Sequence, residues 1–118
     1  MNPIAVYGIV HCDTVKKARA WLTERGVDYQ FHDLKKHGVP EIQLDLWLQQ
    51  AGWEKLVNRK GNTWRALDAA AQASVVDAAN ARRVVLLNPS IVKRPVVEWA
   101  QGRITVGFDA VLWQRLIR

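Results

Sequence analysis

Ile4-Ala5-Val6-Tyr7-Gly8-Ile9-Val10-His11-Cys12-Asp13-Thr14-Val15-Lys16-Lys17-Ala18 changes period in its middle, and that change sets the topology. Ile4 to Gly8 is short, apolar and β-prone, and the glycine ends it, so it reads as a buried strand. Asp13 and Thr14 are both good helix-capping residues. Beyond them Val15, Ala18 and Leu22, with Trp21 alongside, mark one face of a helix, while Lys16, Lys17, Arg19 and Arg25 decorate the rest. Gly26 stands where a helix C-terminal glycine belongs. Val27 to Asp33 alternates, with Val27, Tyr29 and Phe31 on one face, which predicts a second strand. Strand, helix and strand within about thirty residues form a βαβ unit with parallel strands. The loop carrying Cys12 then lies at the carboxyl end of the first strand, where open α/β sheets place their chemistry.

Further along, Lys35 to Gly38 reads as a linker. A helix is predicted from Pro40 to Gly52. Its apolar residues Ile42, Leu44, Leu46, Trp47, Leu48 and Ala51 are too many for one stripe, so it should be covered on more than one side. Trp53 to Val57 adds a turn, and Asn58-Arg59-Lys60-Gly61-Asn62 is a polar loop. A helix follows from Asp68 to Ala79, rich in alanine. A shorter one runs from Ala81 to Leu87 and stops before Asn88-Pro89. Val96 to Trp99 and Arg103 to Val106 flank Ala100-Gln101-Gly102 as a β-hairpin. Asp109 then caps a closing helix that buries Val111, Leu112 and Leu116. The order is β-α-β, a helical insertion over about 38–88, then β-β-α. One α/β domain results, with its core in 1–37 and 89–118, on a plan similar to thioredoxin.

The chain has 118 residues, enough for one domain with its own core. At 49% hydrophobic and 24% charged it has an ordinary globular composition and not that of a disordered chain. No apolar run reaches membrane-spanning length. The start, Met1-Asn2-Pro3-Ile4, lacks a signal-peptide layout, so the expected compartment is the cytoplasm, where thiols stay reduced. The single cysteine excludes an internal disulfide and a cysteine-rich zinc site. His11, His32 and His37 follow no metal-ligand spacing, and no bound metal or cofactor is expected. The net charge of +6 suits an anionic partner. The charge is dispersed, so neither nucleic acid nor membrane is an expected partner, and nothing in the sequence demands an oligomer.

A lone cysteine is either buried packing or a reactive thiol. Cys12 precedes a helix start, where free N–H groups and the helix dipole favour negative charge. His11, Lys16 and Lys17 act in the same direction. The thiolate is the form that attacks disulfides and oxyanions. Thr14 can donate a hydrogen bond to it, although helix capping is its simpler role. The C-x-x-C redox motif is missing, because Val15 stands at the second position. Any catalytic cycle must therefore use an external thiol, with glutathione the expected co-substrate and a second protein the alternative. In a thioredoxin-like fold a cis proline faces the redox cysteine, and Pro95, at the start of a predicted strand, is the candidate. Arg94 would then point towards Cys12, where its planar fork can hold an oxyanion or a carboxylate; otherwise it is a surface arginine in an ion pair. Arg59 and Arg65, flanking Gly61, belong either to a basic loop over the Cys12 site or to a solvated surface.

Taken together, Tyr7 to Ala18, Tyr29-Gln30-Phe31-His32-Asp33, Asn58 to Arg65 and Ile91-Val92-Lys93-Arg94-Pro95 resemble the ArsC/Spx/YffB family, the arsenate reductase-like branch of the thioredoxin superfamily. The C-D-T-V-K-K-A run is most similar to the YffB-like group. The resemblance implies a four-stranded mixed sheet flanked by helices, with an inserted helical lobe. In the arsenate reductases the cysteine attacks the arsenic oxyanion, arginines matching Arg59 and Arg94 bind it and favour the thiolate, and glutathione and glutaredoxin complete the reduction. Those enzymes use a third arginine after the last hairpin. Here that stretch reads Thr105-Val106-Gly107-Phe108, and the nearby Arg103 is expected on the strand. Spx-type members are regulators that bind RNA polymerase, many with a C-x-x-C switch that Val15 removes. The reading that fits one cysteine is a glutathione-dependent thiol-disulfide reductase, with glutathione and glutaredoxin as partners. Arsenate reduction and an Spx-like regulator are the alternatives.

Overall fold

β1 (Ile4–Gly8) is the axis of the first of two units. The structure, a computed structural model, describes residues 3–117, so the reading made on Met1 and Asn2 lies outside the described residues. After β1 the chain enters α1 (Asp13–Glu24) and returns as β2 (Tyr29–Asp33), parallel to β1 with Ile4 opposite Tyr29 and Gly8 opposite Asp33. Much later β3 (Val96–Glu98) pairs antiparallel with the other side of β1, and β4 (Ile104–Val106) pairs antiparallel with β3. The result is the expected four-stranded mixed sheet, in the order β2-β1-β3-β4.

The period-2 alternation of the strands divides the sheet into two faces. Val6 and Val97 point to one face and pack with Ala18, Trp21 and Leu22 of α1 and with Trp99 and Trp113, all buried. Trp113 lies on the closing helix α8 (Ala110–Leu116) and is fully buried, with edge-on ring contacts to Trp21, Trp99 and Phe108. Burying several such indoles removes a large apolar area from water, which stabilises this unit. Asp109 caps α8 as expected, accepting a hydrogen bond from the Leu112 amide at 3.1 Å. The buried side of α8 differs from the expected one. Leu112 and Leu116 do line the core, but Val111 is 69% exposed and Trp113 takes its place.

On the opposite face Tyr7 is buried, its ring stacked on that of His32 at 4.7 Å. Its hydroxyl donates to Glu98 Oε1 at 3.0 Å. Burial first, and then the neighbouring Glu98 carboxylate, push the phenol well above the ordinary tyrosine range. The folded state thus holds the Tyr7 proton more tightly than the unfolded chain does. The associated stability is fully present below the ordinary pKa of about 10 and is lost as pH rises above it. Tyr7→Phe should lower stability at neutral pH by about 1–2 kcal/mol. It should also flatten the decline between neutral pH and strong alkali. Urea midpoints of the two proteins across that range check both parts, and parallel curves would refute the second.

The second unit is Leu34–Lys93. It extends further at both ends than the expected insertion of 38–88. The predicted linker is instead a helical turn, α2 (Leu34–His37), with Leu34 buried. α3 (Glu41–Ala51) buries a single stripe centred on Leu44 and Trp47 and leaves Ile42 75% exposed, against the expected cover on several sides. α4 (Trp53–Leu56) follows as predicted. α5 (Asn62–Ala66) starts where the polar loop was expected to end. The single helix expected over Asp68 to Ala79 is broken into α6 (Ala69–Ser74) and the start of α7 (Ala78–Leu87). The break has two local causes. Val75 turns into the core, and the Asp77 carboxylate accepts from the Asn80 amide at 2.9 Å, capping a new helix. No helix among the described residues is long and apolar enough to cross a membrane.

Candidate functional site

Cys12 is held by the backbone on both sides. Its amide donates to the Ile9 carbonyl at 3.1 Å, closing a turn, and its own carbonyl accepts the first helical hydrogen bond, from the Lys16 amide, at 2.9 Å. Cys12 itself is therefore the N-cap of α1, with extended backbone (φ −85°, ψ 123°). This corrects the reading of Asp13 and Thr14 as caps. Asp13 is the first helical residue, Thr14 is exposed, and no side chain caps the helix. In an N-cap the side chain of the residue faces the amides two and three positions on, here Thr14 and Val15, which no helical carbonyl reaches. The Cys12 side chain makes no capping hydrogen bond to them, and it stands at the positive end of a helix of 12 residues.

The thiol is half-buried, and His11 and Lys16 beside it are exposed. Val15 is fully buried and belongs to the core. The position that would hold a second redox cysteine is thus a packing position in this chain.

Sheet register determines what lies beside the Cys12 loop. Tyr7 pairs with Val96, so the carboxyl end of β1 adjoins the start of β3. The Arg94–Pro95 peptide that leads into β3 is cis. Pro95 is buried and Arg94 half-buried. The Pro95 carbonyl accepts from the Gly107 amide at 2.9 Å, which ties it to the end of β4. One end of the sheet therefore carries the Cys12 loop, the Arg94-Pro95 pair and Gly107 on adjacent strands. Arg103 is not among them. It precedes β4 at the far end of the hairpin, where its carbonyl accepts from the Trp99 amide at 2.8 Å, and it is not on the strand as expected. At the near end of β4 stand Gly107 and Phe108, and Phe108 packs into the core.

Arg59 belongs to the second unit. The Asn58 amide donates to the Ile91 carbonyl and the Lys93 amide to the Leu56 carbonyl, each at 2.8 Å, and Val57 bridges to Val92. Asn58 Oδ1 accepts from the Lys60 amide at 3.2 Å, turning the loop. The exposed Arg59 guanidinium lies 5.4 Å from the ring centroids of both Trp53 and Trp64. These indoles, both half-buried, give it a defined orientation. The sequence alone does not single out Trp53 for this role. The signal was the spacing of two tryptophans around a basic loop. No group of three His, Cys, Asp or Glu among the described residues could hold a metal ion.

Comparisons with known proteins identify the family and the fold. Residues 7–116 match the ArsC family. A solved structure described as the YffB protein superposes with a TM-score of 0.91 at 43% identity, covering 98% of this chain and 99% of the other. An arsenate reductase (ArsC) related protein from Brucella melitensis gives a TM-score of 0.74 at 44% identity, covering 99% and 96%. Among curated relatives, the global transcriptional regulator Spx of Streptococcus pyogenes is 28% identical over 83% of this chain and 72% of its own length.

Proposed function

We propose that this chain, which belongs to the ArsC family, is a single-cysteine, glutathione-dependent thiol-disulfide reductase. The family is thiol reductase-like and its members share a thioredoxin-like fold. The observation that carries the finer reading is Cys12 as the N-cap of α1, beside the strand entered through Arg94-Pro95, in a chain with no other thiol.

The Cys12 thiolate attacks the glutathione sulfur of a mixed disulfide R–S–S–G. The S–S bond breaks, R leaves as a thiolate and takes a proton, and Cys12 carries glutathione as a disulfide. A second glutathione thiolate attacks that glutathione sulfur and releases glutathione disulfide and the Cys12 thiolate. The sum is R–S–S–G plus one glutathione giving R–SH and glutathione disulfide, a two-electron thiol–disulfide exchange that leaves the enzyme unchanged. Arg94 holds a glutathione carboxylate through charge-assisted hydrogen bonds. Lys16, His11 and the N-terminus of α1 favour an anionic substrate at this end of the helix, and glutaredoxin is the expected protein partner. The cycle needs a reduced glutathione pool, which the cytoplasm supplies.

The test is turnover of a glutathionylated cysteine peptide, with glutathione disulfide measured through NADPH oxidation by glutathione reductase. Wild type should turn over in proportion to protein added. Arg94→Ala should raise the KM for the peptide about 10–100-fold with a smaller change in kcat, as expected for a lost carboxylate clamp. No turnover above the uncatalysed rate at millimolar glutathione would end this reading. A parallel arm replaces the peptide with arsenate and adds glutaredoxin. The stretch Thr105 to Phe108 carries no arginine, and Arg103 lies at the far end of the hairpin, which disfavours that arm. The regulator reading is disfavoured by Val15, a core residue at the position of the switch.

A further inference from the structure

The opposite end of α1 holds a second arrangement that the thiol chemistry does not use. A groove of about 420 Å³ lies between this end of α1 and the outer side of α8. Arg25, the C-cap of α1, lies over the Trp21 indole at 4.0 Å. Its Nη1 donates to the Trp21 carbonyl at 3.3 Å, and its Nε donates to Gln114 Oε1 at 3.3 Å. The guanidinium is therefore fixed from three sides, yet among the described residues no carboxylate pairs with it or with Arg115 across the groove. Arg82, by contrast, is engaged by both Glu41 and Asp45. The groove wall also carries Val111, an exposed aliphatic residue on the side of α8 turned away from the core.

We propose that this groove docks an acidic segment of a partner protein, with Arg25 and Arg115 taking its carboxylates and Val111 an apolar side chain between them. The ordering cost of Arg25 is already met within the fold, which favours binding over a freely rotating arginine. A free small anion would leave Val111 uncovered. Single-stranded nucleic acid needs an open aromatic platform, and the Trp21 face is covered by Arg25. α1 is roughly 18 Å long, so a segment docked here leaves Cys12 open at the other end.

The test uses a short fluorescein-labelled peptide of aspartate and glutamate interrupted by two leucines. Anisotropy gives its affinity for the full chain, and ¹⁵N amide shifts give its location. Binding should saturate, and the shifts should cluster at residues 21–25 and 110–115. Arg115→Glu, at an exposed side chain, should weaken binding about tenfold, and Arg25→Glu with Arg115→Glu should abolish it. Replacing the leucines by serine should also weaken it about tenfold. Turnover at Cys12 should be unchanged in Arg115→Glu. Absence of saturable binding, shifts mapping elsewhere, indifference to Arg115→Glu or to loss of the leucines, or tighter binding of a single-stranded oligonucleotide would each overturn the proposal.

Discussion

Cys12→Ser should abolish reductase turnover while leaving the fold as stable as wild type or more so. The first half follows from chemistry. Disulfide exchange needs a thiolate, and the serine hydroxyl stays protonated at neutral pH. The chain has no other cysteine to substitute. Loss of a nucleophile that acts alone should cost at least about a thousandfold in kcat. The second half follows from the backbone. Cys12 is an N-cap that makes no side-chain capping bond, whereas serine is among the preferred N-cap residues and its oxygen reaches the Thr14 or Val15 amide. A gain of up to about 1 kcal/mol is expected, read as a higher urea midpoint. The pairing of lost activity with kept or increased stability separates a reactive residue from a packing one. If Cys12 were only a small buried hydrophobe, serine would destabilise and turnover would persist. Turnover retained in Cys12→Ser would remove the thiol mechanism altogether.

The same N-cap shows how far the sequence could be read. Local rules favoured Asp13 or Thr14 as the cap, and the chain instead places the weaker capping group one residue earlier. Such a violation of a local preference is expected at functional positions. The βαβ unit was legible because its apolar alternation is carried by residues that end in the core, among them Val6, Val15 and Leu22. The short helices of the second unit were not. α2 is Leu-Lys-Lys-His and α5 is Asn-Thr-Trp-Arg-Ala, single turns whose own propensity is too weak to decide them. Asp77 did carry a readable capping signal, which the alanine-rich run around it concealed. In α8 the spacing of Val111, Leu112 and Leu116 suggested a face rotated away from the real one. The volume of Trp113, closing a cluster with Trp21 and Trp99, sets the rotation. Cys12, Arg94 and Pro95 were each identifiable by type and spacing. Their placement at one end of the sheet depends on β1–β3 register, which only long-range pairing fixes.

Gly8→Ala should destabilise the protein by about 1–3 kcal/mol and slow Cys12 alkylation, through one contact. A Cβ built on Gly8 would lie 2.8 Å from Val15 Cγ2, 3.0 Å from Val15 Cγ1 and 3.5 Å from Phe31 Cε1. The glycine is needed here for space, because its backbone is ordinary extended strand. Val15 cannot yield cheaply. It is fully buried, and a β-branched residue in a helix has one strongly preferred χ1. The first turn of α1 must therefore lift from the sheet, and Cys12 begins that turn. Denaturant unfolding should show the lost stability, and iodoacetamide labelling of the native protein should show a thiol displaced from its place at the start of α1. Val15→Ala separates the causes, since it removes both clashing methyl groups. In the double variant the added cost of Gly8→Ala should fall close to zero, a coupling that independent sites would not show. A Gly8→Ala protein as stable as wild type, or one whose cost simply adds to that of Val15→Ala, would mean that the close approach of β1 and α1 does not position the thiol.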